Sequence, residues 1–412
     1  MTSSYQSKNI AIIGGGIIGV TSALRLAKLG YNITIIDRQD SIAKECSYAN
    51  GGQLSVCNCE SWLTYNNVYK AIIYKFKKNP AIDIGSMFYC EKFLWLANFF
   101  KNIILNKHIF TTKKLISYAI KSRELFEEIL KEETIDFNYQ KKGILSIYSD
   151  TRSFNKAIAF NSKLAKTGFN REILTPNDIN KLDSSINLDN IKGGLYSIDD
   201  SSGDMYKFIK ALMQILIDRY ALKTIFNCEI KKIISVKDKY ELIGNSNKNL
   251  VFDKVIIAAG CGTNLLAKDY YRTDIYPVKG YSVTINLSKQ STPNAAKIAM
   301  LDEKYRIATS KLGSRFRVAG TANWYGYDDS IDVKKIKFLL DWIKMRYPTI
   351  NTKDYDSWAC LRPMTSNMLP ITKEVKPNLY INSGSGHLGW TIAMALADDL
   401  VKIISKSNKK TS

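Results

Sequence analysis

The sequence predicts an α/β protein in which a Rossmann-like, dinucleotide-binding domain is interrupted by a domain built on an antiparallel sheet. The chain begins with a strand, a glycine loop, a helix and a second strand, and it ends with a strand, a glycine loop and a helix. Between these ends lie segments of alternating apolar and polar residues, which are typical of antiparallel strands. We therefore expect the nucleotide-binding domain in residues 1–85, 197–272 and 355–412, and the inserted substrate domain in residues 86–196 and 273–354.

The first four elements follow from the spacing of apolar residues and glycines. Asn9–Ile13 is an apolar run that ends at a glycine, which predicts a buried parallel strand. Ile17–Leu29 has apolar residues at helical spacing and is followed by Gly30, the residue type that most often succeeds a helix. Ile33–Ile36 predicts a second buried strand, and Asp37 lies at its carboxyl end.

The loop between these elements has the spacing Gly14-x-Gly16-x-x-Gly19. The first glycine permits a tight turn, the second lets the backbone approach a pyrophosphate, and the third lets the helix pack closely on the strand. The pyrophosphate would lie at the positive end of the helix dipole, where Ile17 and Ile18 begin the helix. Asp37 is placed to accept hydrogen bonds from an adenosine ribose. This motif alone leaves the choice between NAD and FAD open.

Further elements are predicted along the rest of the chain. The short apolar strand Val255–Ile257 runs into Ala258, Ala259 and Gly260, and Leu379–Ser383 is a strand followed by the glycine loop Gly384–Gly389. The segment Phe93–Phe100 is compatible with a buried or an interfacial helix. Amphipathic helices are predicted over Thr112–Glu133, Phe154–Lys166, Met205–Asp218, Val333–Arg346 and Trp390–Ser405.

The composition excludes several classes of protein. The net charge is +21, but the basic residues are spread along the chain rather than clustered, which favours compositional bias and argues against a nucleic-acid partner. The main functional alternative is attraction to an anionic membrane surface, with Lys70–Lys78 and Phe93–Phe100 as the contact.

Cysteine and histidine usage bears on metal binding and compartment. Seven cysteines at irregular spacing and only two histidines favour reduced thiols in a cytoplasmic protein, with neither disulfides nor a metal site. The polar start of the chain predicts no secretory signal, and no apolar stretch is long enough to predict a transmembrane helix.

A second motif selects FAD over NAD. Ser47–Ser55 is a polar, glycine-rich stretch soon after the ribose-binding acid, and it suits a ligand that continues from ribitol to isoalloxazine. Together with the first glycine loop, its pattern Ser-x-x-Asn-x-Gly-Gln resembles the D-amino acid oxidase superfamily of FAD-dependent oxidoreductases. Within that superfamily the chain is most similar to the small subunit of bacterial D-amino acid dehydrogenase. The resemblance implies a glutathione-reductase-type FAD domain.

Later motifs extend the resemblance over nearly the whole chain. Tyr276–Ser282 resembles the family's segment entering the substrate sheet, and Asp302–Ala308 resembles its strand with a substrate-contacting tyrosine. Leu361–Thr365 resembles the family's Leu-Arg-Pro-Met-Thr. Asn382–Thr391 resembles its C-terminal flavin loop, although the usual Gly-His-Gly is Gly-Ser-Gly here and the histidine, His387, follows the second of these glycines.

The resemblance and the motifs together give a set of expected site residues. Arg362 would grip the substrate carboxylate with two parallel hydrogen bonds. Tyr305 would add a hydroxyl to the same carboxylate, and Tyr281 is a third candidate. The expected FAD-binding residues are Gly14, Gly16, Ile17, Ile18, Gly19, Asp37, Arg38, Ser47, Asn50, Gly52, Gln53, Ala259, Gly260, Gly384, Gly386, His387, Leu388, Gly389, Trp390 and Thr391.

The reaction implied by the resemblance is oxidative deamination of a D-amino acid to a 2-oxo acid and ammonia, by hydride transfer to flavin N5. Electrons would then pass to a respiratory acceptor, which implies a quinone or an electron-transfer partner at the inner face of the cell membrane. A homo- or hetero-oligomer is compatible with this subfamily. The alternatives are a glycine- or sarcosine-type amine oxidase that produces hydrogen peroxide, and a flavin-binding scaffold that has lost catalysis.

Overall fold

The computed structural model of the protein describes residues 8–74, 82–85, 90–164, 171–245, 250–287 and 296–411. The elements in the first half of the chain are β1 (Asn9–Ile13), α1 (Ile17–Ala27), β2 (Asn32–Ile36), β3 (Gln53–Leu54), α2 (Tyr65–Tyr74), β4 (Ile82–Asp83), α3 (Cys90–Ile104), α4 (His108–Glu132), β5 (Ile144–Tyr148), α5 (Thr151–Leu164), β6 (Glu172–Leu174), α6 (Pro176–Leu182), β7 (Gly193–Ser197) and β8 (Ser201–Ser202).

The elements in the second half are α7 (Met205–Tyr220), β9 (Lys223–Ile225), β10 (Ile230–Val236), β11 (Lys239–Gly244), β12 (Leu250–Phe252), β13 (Lys254–Ile257), α8 (Thr263–Ala267), β14 (Ile275–Asn286), β15 (Ala299–Asp302), β16 (Ile307–Leu312), β17 (Arg315–Asn323), α9 (Val333–Arg346), β18 (Tyr355–Thr365), β19 (Ile371–Lys376), β20 (Leu379–Ser383) and α10 (Gly389–Thr411). The helices and strands predicted from periodicity are present, with ends that differ by a few residues.

A six-stranded sheet carries the nucleotide-binding half, in the order β19-β20-β13-β1-β2-β9. All neighbours are parallel except β19, which pairs antiparallel with β20 at the edge. The central strands are apolar along their length because α1, α7 and α10 cover one face and the sheet β10-β11-β12 lies against the other. The ends of the chain therefore do contribute to one sheet, as predicted.

A larger mixed sheet forms the other half, in the order β18-β14-β17-β16-β15-β5-β7-β6 with β4 paired to β17. Helix α9 covers one of its faces, where Ile336, Leu339 and Trp342 pack with Val283 and Phe316. The predicted fold class, a Rossmann-like domain with an inserted sheet domain, is confirmed.

The packing of two elements suggests different domain boundaries from those expected. Strand β18 pairs with β14 along its whole length, from Tyr355 opposite Ile285 to Thr365 opposite Ile275. This pairing makes β18 a strand of the large sheet. We therefore propose that the inserted domain extends past residue 354 to residue 365. Helix α4, expected in the inserted domain, packs its buried residues into the core of the nucleotide-binding half. The residues that make these contacts are far apart in the sequence, so no local sequence pattern indicates them.

Helix α3 contains the aromatic run that was compatible with either a buried or an interfacial helix, and it has one buried and one exposed side. Trp95 is 4% exposed, whereas Phe93 and Ile104 are 61% and 71% exposed. Lys75, Lys77 and Lys78, from the basic run, lie outside the described residues. Among the described residues, no helix combines the length and the apolar character needed to cross a bilayer.

Candidate active site

A cavity of about 820 Å³ extends from the glycine loop after β1 to the large sheet, where β14, β17 and β18 form its wall. All of the expected FAD-binding residues line it except Gly19, Gly52 and Gly384. Arg362 and Tyr281 line it as well, but Tyr305 does not. Within the described ranges, no group of three or more His, Cys, Asp or Glu side chains is arranged to hold a metal ion.

The phosphate loop has the geometry that its three glycines predict. Gly14 has a φ of 115°, and a Cβ there would overlap the carbonyl oxygen of Ala258 on the neighbouring strand. A Cβ at Gly19 would overlap the carbonyl oxygen of Gly14, so this glycine permits close helix–strand packing although it does not line the cavity. Gly16 begins α1 without a side-chain cap, which leaves the start of the helix suited to a pyrophosphate.

Two polar side chains fix this loop. The carboxylate of Asp37 accepts the amide of Gly15 at 2.6 Å and the amide of Gln39 at 2.8 Å, and burial raises its pKa above the ordinary value for aspartate. Ser47 Oγ accepts the amide of Ile17 at 3.1 Å. The acid expected to bind ribose therefore also holds the phosphate loop in place.

The stretch Ser47–Gln53, which we call the flavin loop, is anchored to the large sheet through its carbonyl oxygens. Ser282 Oγ donates to Ala49 O at 2.8 Å, Ser310 Oγ donates to Gly51 O at 2.8 Å, and Arg317 Nη1 donates to Asn50 O at 3.3 Å. Burial lowers the pKa of the Arg317 guanidinium to about 10.

The end of the flavin loop is held in the same way. Gln53 Nε2 donates to Met300 O at 3.0 Å and to Thr309 O at 3.1 Å. Gly52 does not line the cavity, but its φ of 69° makes the turn that its position requires. The sheet of one domain thus shapes the cofactor loop of the other.

The C-terminal glycine loop leads from β20 into α10. Gly384 and Gly386 have φ values of 74° and 58°, and a 3₁₀ turn over Gly386–Leu388 delivers the chain to Gly389, the first residue of α10. The positive end of this 23-residue helix points from the loop toward the cavity side. A helix N-terminus in this position suits the negative charge that a flavin develops at its pyrimidine edge on reduction.

Arg362 lies on β18, in the wall of the cavity. Its Nη1 donates to Thr321 O at 2.9 Å on β17. The guanidinium rests on the backbone of Gly280 in β14, where any Cβ would overlap all three terminal atoms of the arginine. A hydrogen bond with Cys46, and then the Arg362 charge, lower the pKa of the Cys360 thiol, while burial, and then the Arg362 charge, lower the pKa of the His387 imidazole. An arginine held against strand backbone in this way presents its remaining donors to a carboxylate.

The structure does not bring Tyr281 to Arg362 as a hydroxyl donor. Successive residues of a strand face opposite sides of the sheet, and Gly280 occupies the cavity side. The Tyr281 ring packs in the core beneath α9, and it is 2% exposed. Burial, and then the carboxylates of Asp332 and Asp328, raise its pKa to about 12.

Tyr305, unlike Tyr281, does not line the cavity. Its hydroxyl lies 3.8 Å from Met345 Sδ, and its ring packs near Phe338. Arg306 has a φ of 54°, and this left-handed turn sends the guanidinium of Arg306, rather than the Tyr305 hydroxyl, to the cavity. There Arg306 pairs with Glu303 at 2.7 Å. The backbone conformation of this segment could not be inferred from residue type.

Sequence reasoning missed an aromatic wall on the side of the cavity next to Arg362. Trp62, Trp95, Phe99 and Trp324 line it, and Trp95 Nε1 donates to Met364 O at 2.9 Å. The ring of Trp62 stacks on that of His387 with centroids 4.8 Å apart. The aromatic run of α3 was the one signal in the sequence, and it did not distinguish a cavity wall from an ordinary core.

Comparisons with known proteins agree with this architecture. A family model described as DAO, FAD dependent oxidoreductase, matches residues 9–403. The chain is 33% identical over 403 residues to D-amino acid dehydrogenase 3 of Mesorhizobium japonicum, covering 96% of this chain and 97% of that protein. It is 28% identical over 404 residues to a D-amino acid dehydrogenase of Paramagnetospirillum magneticum, covering 96% and 94% of the two chains.

Among solved structures, glycine oxidase from Bacillus cereus has a similar fold, with a TM-score of 0.74 at 22% identity over 97% of this chain and 95% of that one. The family match spans almost the whole chain, and the glycine loops and cavity fit the cofactor in its description. The chain therefore belongs to the DAO family of FAD-dependent oxidoreductases.

Proposed function

We propose that this chain catalyses the oxidative deamination of D-amino acids to 2-oxo acids and ammonia. The observation that supports it most directly is a guanidinium, Arg362, in the same cavity as the phosphate, flavin and C-terminal glycine loops. The printed names of the two curated relatives, both D-amino acid dehydrogenases, support the choice of substrate.

In this proposal each part of the cavity has a defined task. Arg362 holds the substrate carboxylate and so fixes the orientation of the Cα–H bond. The phosphate, flavin and C-terminal glycine loops would hold FAD, which when bound would supply the two-electron acceptor for the Cα hydrogen. The oxidised amino acid would then be hydrolysed by water to the 2-oxo acid and ammonia. The N-terminus of α10 stabilises the negative charge that follows reduction. The aromatic wall excludes water from the side of the cavity next to Arg362.

A glycine- or sarcosine-type amine oxidase is the second candidate, and the fold of glycine oxidase favours it. In both reactions Arg362 would hold the substrate carboxylate. The reactions differ in the substrate and in the electron acceptor. An oxidase releases hydrogen peroxide at the rate of substrate turnover, whereas a dehydrogenase does so only slowly.

For the dehydrogenase we propose a lipophilic acceptor, such as a quinone, and peripheral attachment of a cytoplasmic protein to the inner face of the membrane. Helix α3 supports this. Its Trp95, Leu96 and Phe99 line the cavity, while Phe93 and Ile104 of the same helix are exposed. The helix therefore connects the cavity to an apolar outer surface.

The experiment that tests the reaction is anaerobic mixing of the FAD-loaded protein with D- and L-amino acids, glycine and sarcosine, followed through the flavin absorbance. We expect bleaching by D-isomers and 2-oxo acid in equal amount. Bleaching by L-isomers alone would contradict the proposal, and stoichiometric peroxide in air would select the oxidase. Arg362→Met should lower kcat/KM by about 10²-fold or more because charge-assisted bonds to the carboxylate are lost, with an unchanged flavin spectrum as the control.

A further inference from the structure

His387 is the residue of the C-terminal loop whose role the family pattern does not explain. It lies in the 3₁₀ turn before α10, and its side chain lines the cavity together with Arg362 and Trp62. The stack on Trp62, with an angle of 17° between the two rings, fixes the plane of the imidazole. A ring held this way presents its edge, which carries both nitrogens, in a defined direction.

The imidazole is neutral over the physiological range. Burial, together with the guanidinium cations of Arg362 and Arg306, lowers its pKa to about 4, and a hydrogen bond with the backbone of Asn58 offsets part of this effect. A neutral imidazole has one N–H donor and one bare nitrogen acceptor. The carbonyl of Asn58 can accept only from the N–H, so the bare nitrogen is the one left for a ligand.

An amino acid is complementary to this pair of groups. Its carboxylate is bound well by a guanidinium, which Arg362 supplies. Its amino group needs a hydrogen-bond acceptor close to that guanidinium. Five carboxylates also line the cavity. Asp37 holds the phosphate loop, Glu45 pairs with Arg38, and Glu229 lies near the same arginine. Of the other two, Glu303 accepts from Arg306 at 2.7 Å, and Glu60 lies 3.7 Å from His108. The His387 imidazole, by contrast, lies near enough to Arg362 that the guanidinium charge contributes, after burial, to lowering its pKa.

We propose that the bare ring nitrogen of His387 accepts a hydrogen bond from the α-amino group of the substrate while Arg362 holds the carboxylate. The inference rests on the proposed function, because it assigns the second contact of the same substrate. Two contacts of different chemistry fix the amino acid about two points and so orient its Cα–H bond. His387 acts here as a hydrogen-bond acceptor and not as a base, since its low proton affinity keeps the proton on the amine.

A pair of unreactive ligands tests this contact without turnover. 2-Aminoisobutyrate has the carboxylate and amine of a substrate but no Cα hydrogen, and isobutyrate is the same molecule without the amine. The chain has only two histidines, so a nitrogen-15 histidine spectrum of the FAD-loaded protein has few signals, and a His108→Gln variant assigns them. We expect 2-aminoisobutyrate to shift the bare-nitrogen signal of His387 and isobutyrate to leave it nearly unchanged.

Variants give the energetic counterpart. His387→Leu should weaken 2-aminoisobutyrate about tenfold and isobutyrate hardly at all, whereas His387→Gln, which keeps an acceptor, should restore part of the difference. Arg362→Met should weaken both ligands.

Three results would overturn the assignment: equal shifts with both ligands, equal weakening of both by His387→Leu, or loss of the amine preference in Glu60→Gln instead. If no D-amino acid bleaches the flavin, the proposed function fails, and the two-ligand comparison still decides what His387 contacts.

Discussion

At the scale of single residues, the position of Arg362 depends on the absence of a side chain at Gly280. Because a Cβ at that position would overlap the guanidinium, Gly280→Ala must displace the arginine from its place on the sheet. We expect KM for the amino acid to rise about 10- to 100-fold, equivalent to the loss of about 1.5–3 kcal/mol from a charge-assisted contact. Steady-state kinetics measures the effect. An unchanged KM would show that Arg362 adapts without loss.

The FAD content and melting temperature of Gly280→Ala provide the control for that result. Gly280 lies two residues before Ser282, which anchors the flavin loop, but the three atoms nearest to the added Cβ all belong to Arg362. We therefore expect both values to stay close to those of the unaltered protein. If FAD were lost together with substrate affinity, the altered KM would reflect damage to the cavity rather than displacement of one side chain.

These residues also show how far the sequence could go. Gly14 and Gly19 were predicted from a motif whose spacing demands a particular geometry, whereas Arg362 was predicted from the resemblance of Leu361–Thr365 to a family motif. Strand alternation alone would have indicated that Gly280 and Tyr281 face opposite sides, and this signal was available in the sequence. The left-handed φ of Arg306 was not available, because arginine rarely adopts it and nothing in the local pattern requires it.

At the scale of elements, the flavin loop takes its shape from the large sheet. Removing the hydroxyls that hold it, in the double variant Ser282→Ala/Ser310→Ala, leaves two backbone carbonyls without these partners. Each lost bond costs about 0.5–1.5 kcal/mol, so we expect the dissociation constant for FAD to rise about 5- to 100-fold. Flavin fluorescence during titration of the apoprotein measures it.

A matched control is Ser162→Ala, since its hydroxyl donates to Ile158 O within α5 and does not touch the flavin loop. The control should bind FAD as the unaltered protein does. Equal affinity in the double variant would mean that the loop keeps its shape through Gln53 and the backbone alone.

Element boundaries illustrate a different limit of sequence reasoning. The strands of the six-stranded sheet were predicted because a strand buried on both faces is apolar throughout. Strand β18 pairs with the large sheet and helix α4 packs into the core of the nucleotide-binding half, so we propose that each belongs to the other domain than the sequence predicted. Domain membership depends on the partner of an element and not on the element itself. Each of these two elements has an ordinary periodicity that is compatible with either neighbour.

At the scale of the whole molecule, the basic residues behind the net charge of +21 include a stretch of the chain that has no acidic residue. Between Lys92 and Arg123 the sequence contains seven basic residues and no acidic one. Lys92 is buried and Lys121 pairs with Asp398 and Asp399, so these two do not add to the outer surface. The exposed cations of this region are Lys101, Lys107, Lys113 and Lys114.

The same region exposes apolar side chains, and we call residues 93–114 the α3–α4 corner. Ile104 is 71% exposed and Phe110 is 60% exposed, next to Leu105 at 54%. An apolar surface flanked by cations and free of acids matches the interface of an anionic bilayer, where each basic residue contributes about 1 kcal/mol. Compositional bias would account for the number of lysines, but it would not account for their position beside an exposed apolar corner.

We therefore expect the FAD-loaded protein to sediment with vesicles that contain anionic phosphatidylglycerol and much less with pure phosphatidylcholine vesicles. High salt should weaken the binding, because screening reduces the attraction between the lysines and the lipid charges. Ile104→Glu/Phe110→Glu should abolish it, since the substitution places two charges where apolar contact is needed. Val333→Glu, which alters a 76% exposed residue at the start of α9, is the matched control. Equal sedimentation of the two variants would place any membrane contact elsewhere, and a dimer that disappears only in the α3–α4 variant would assign the corner to self-association instead.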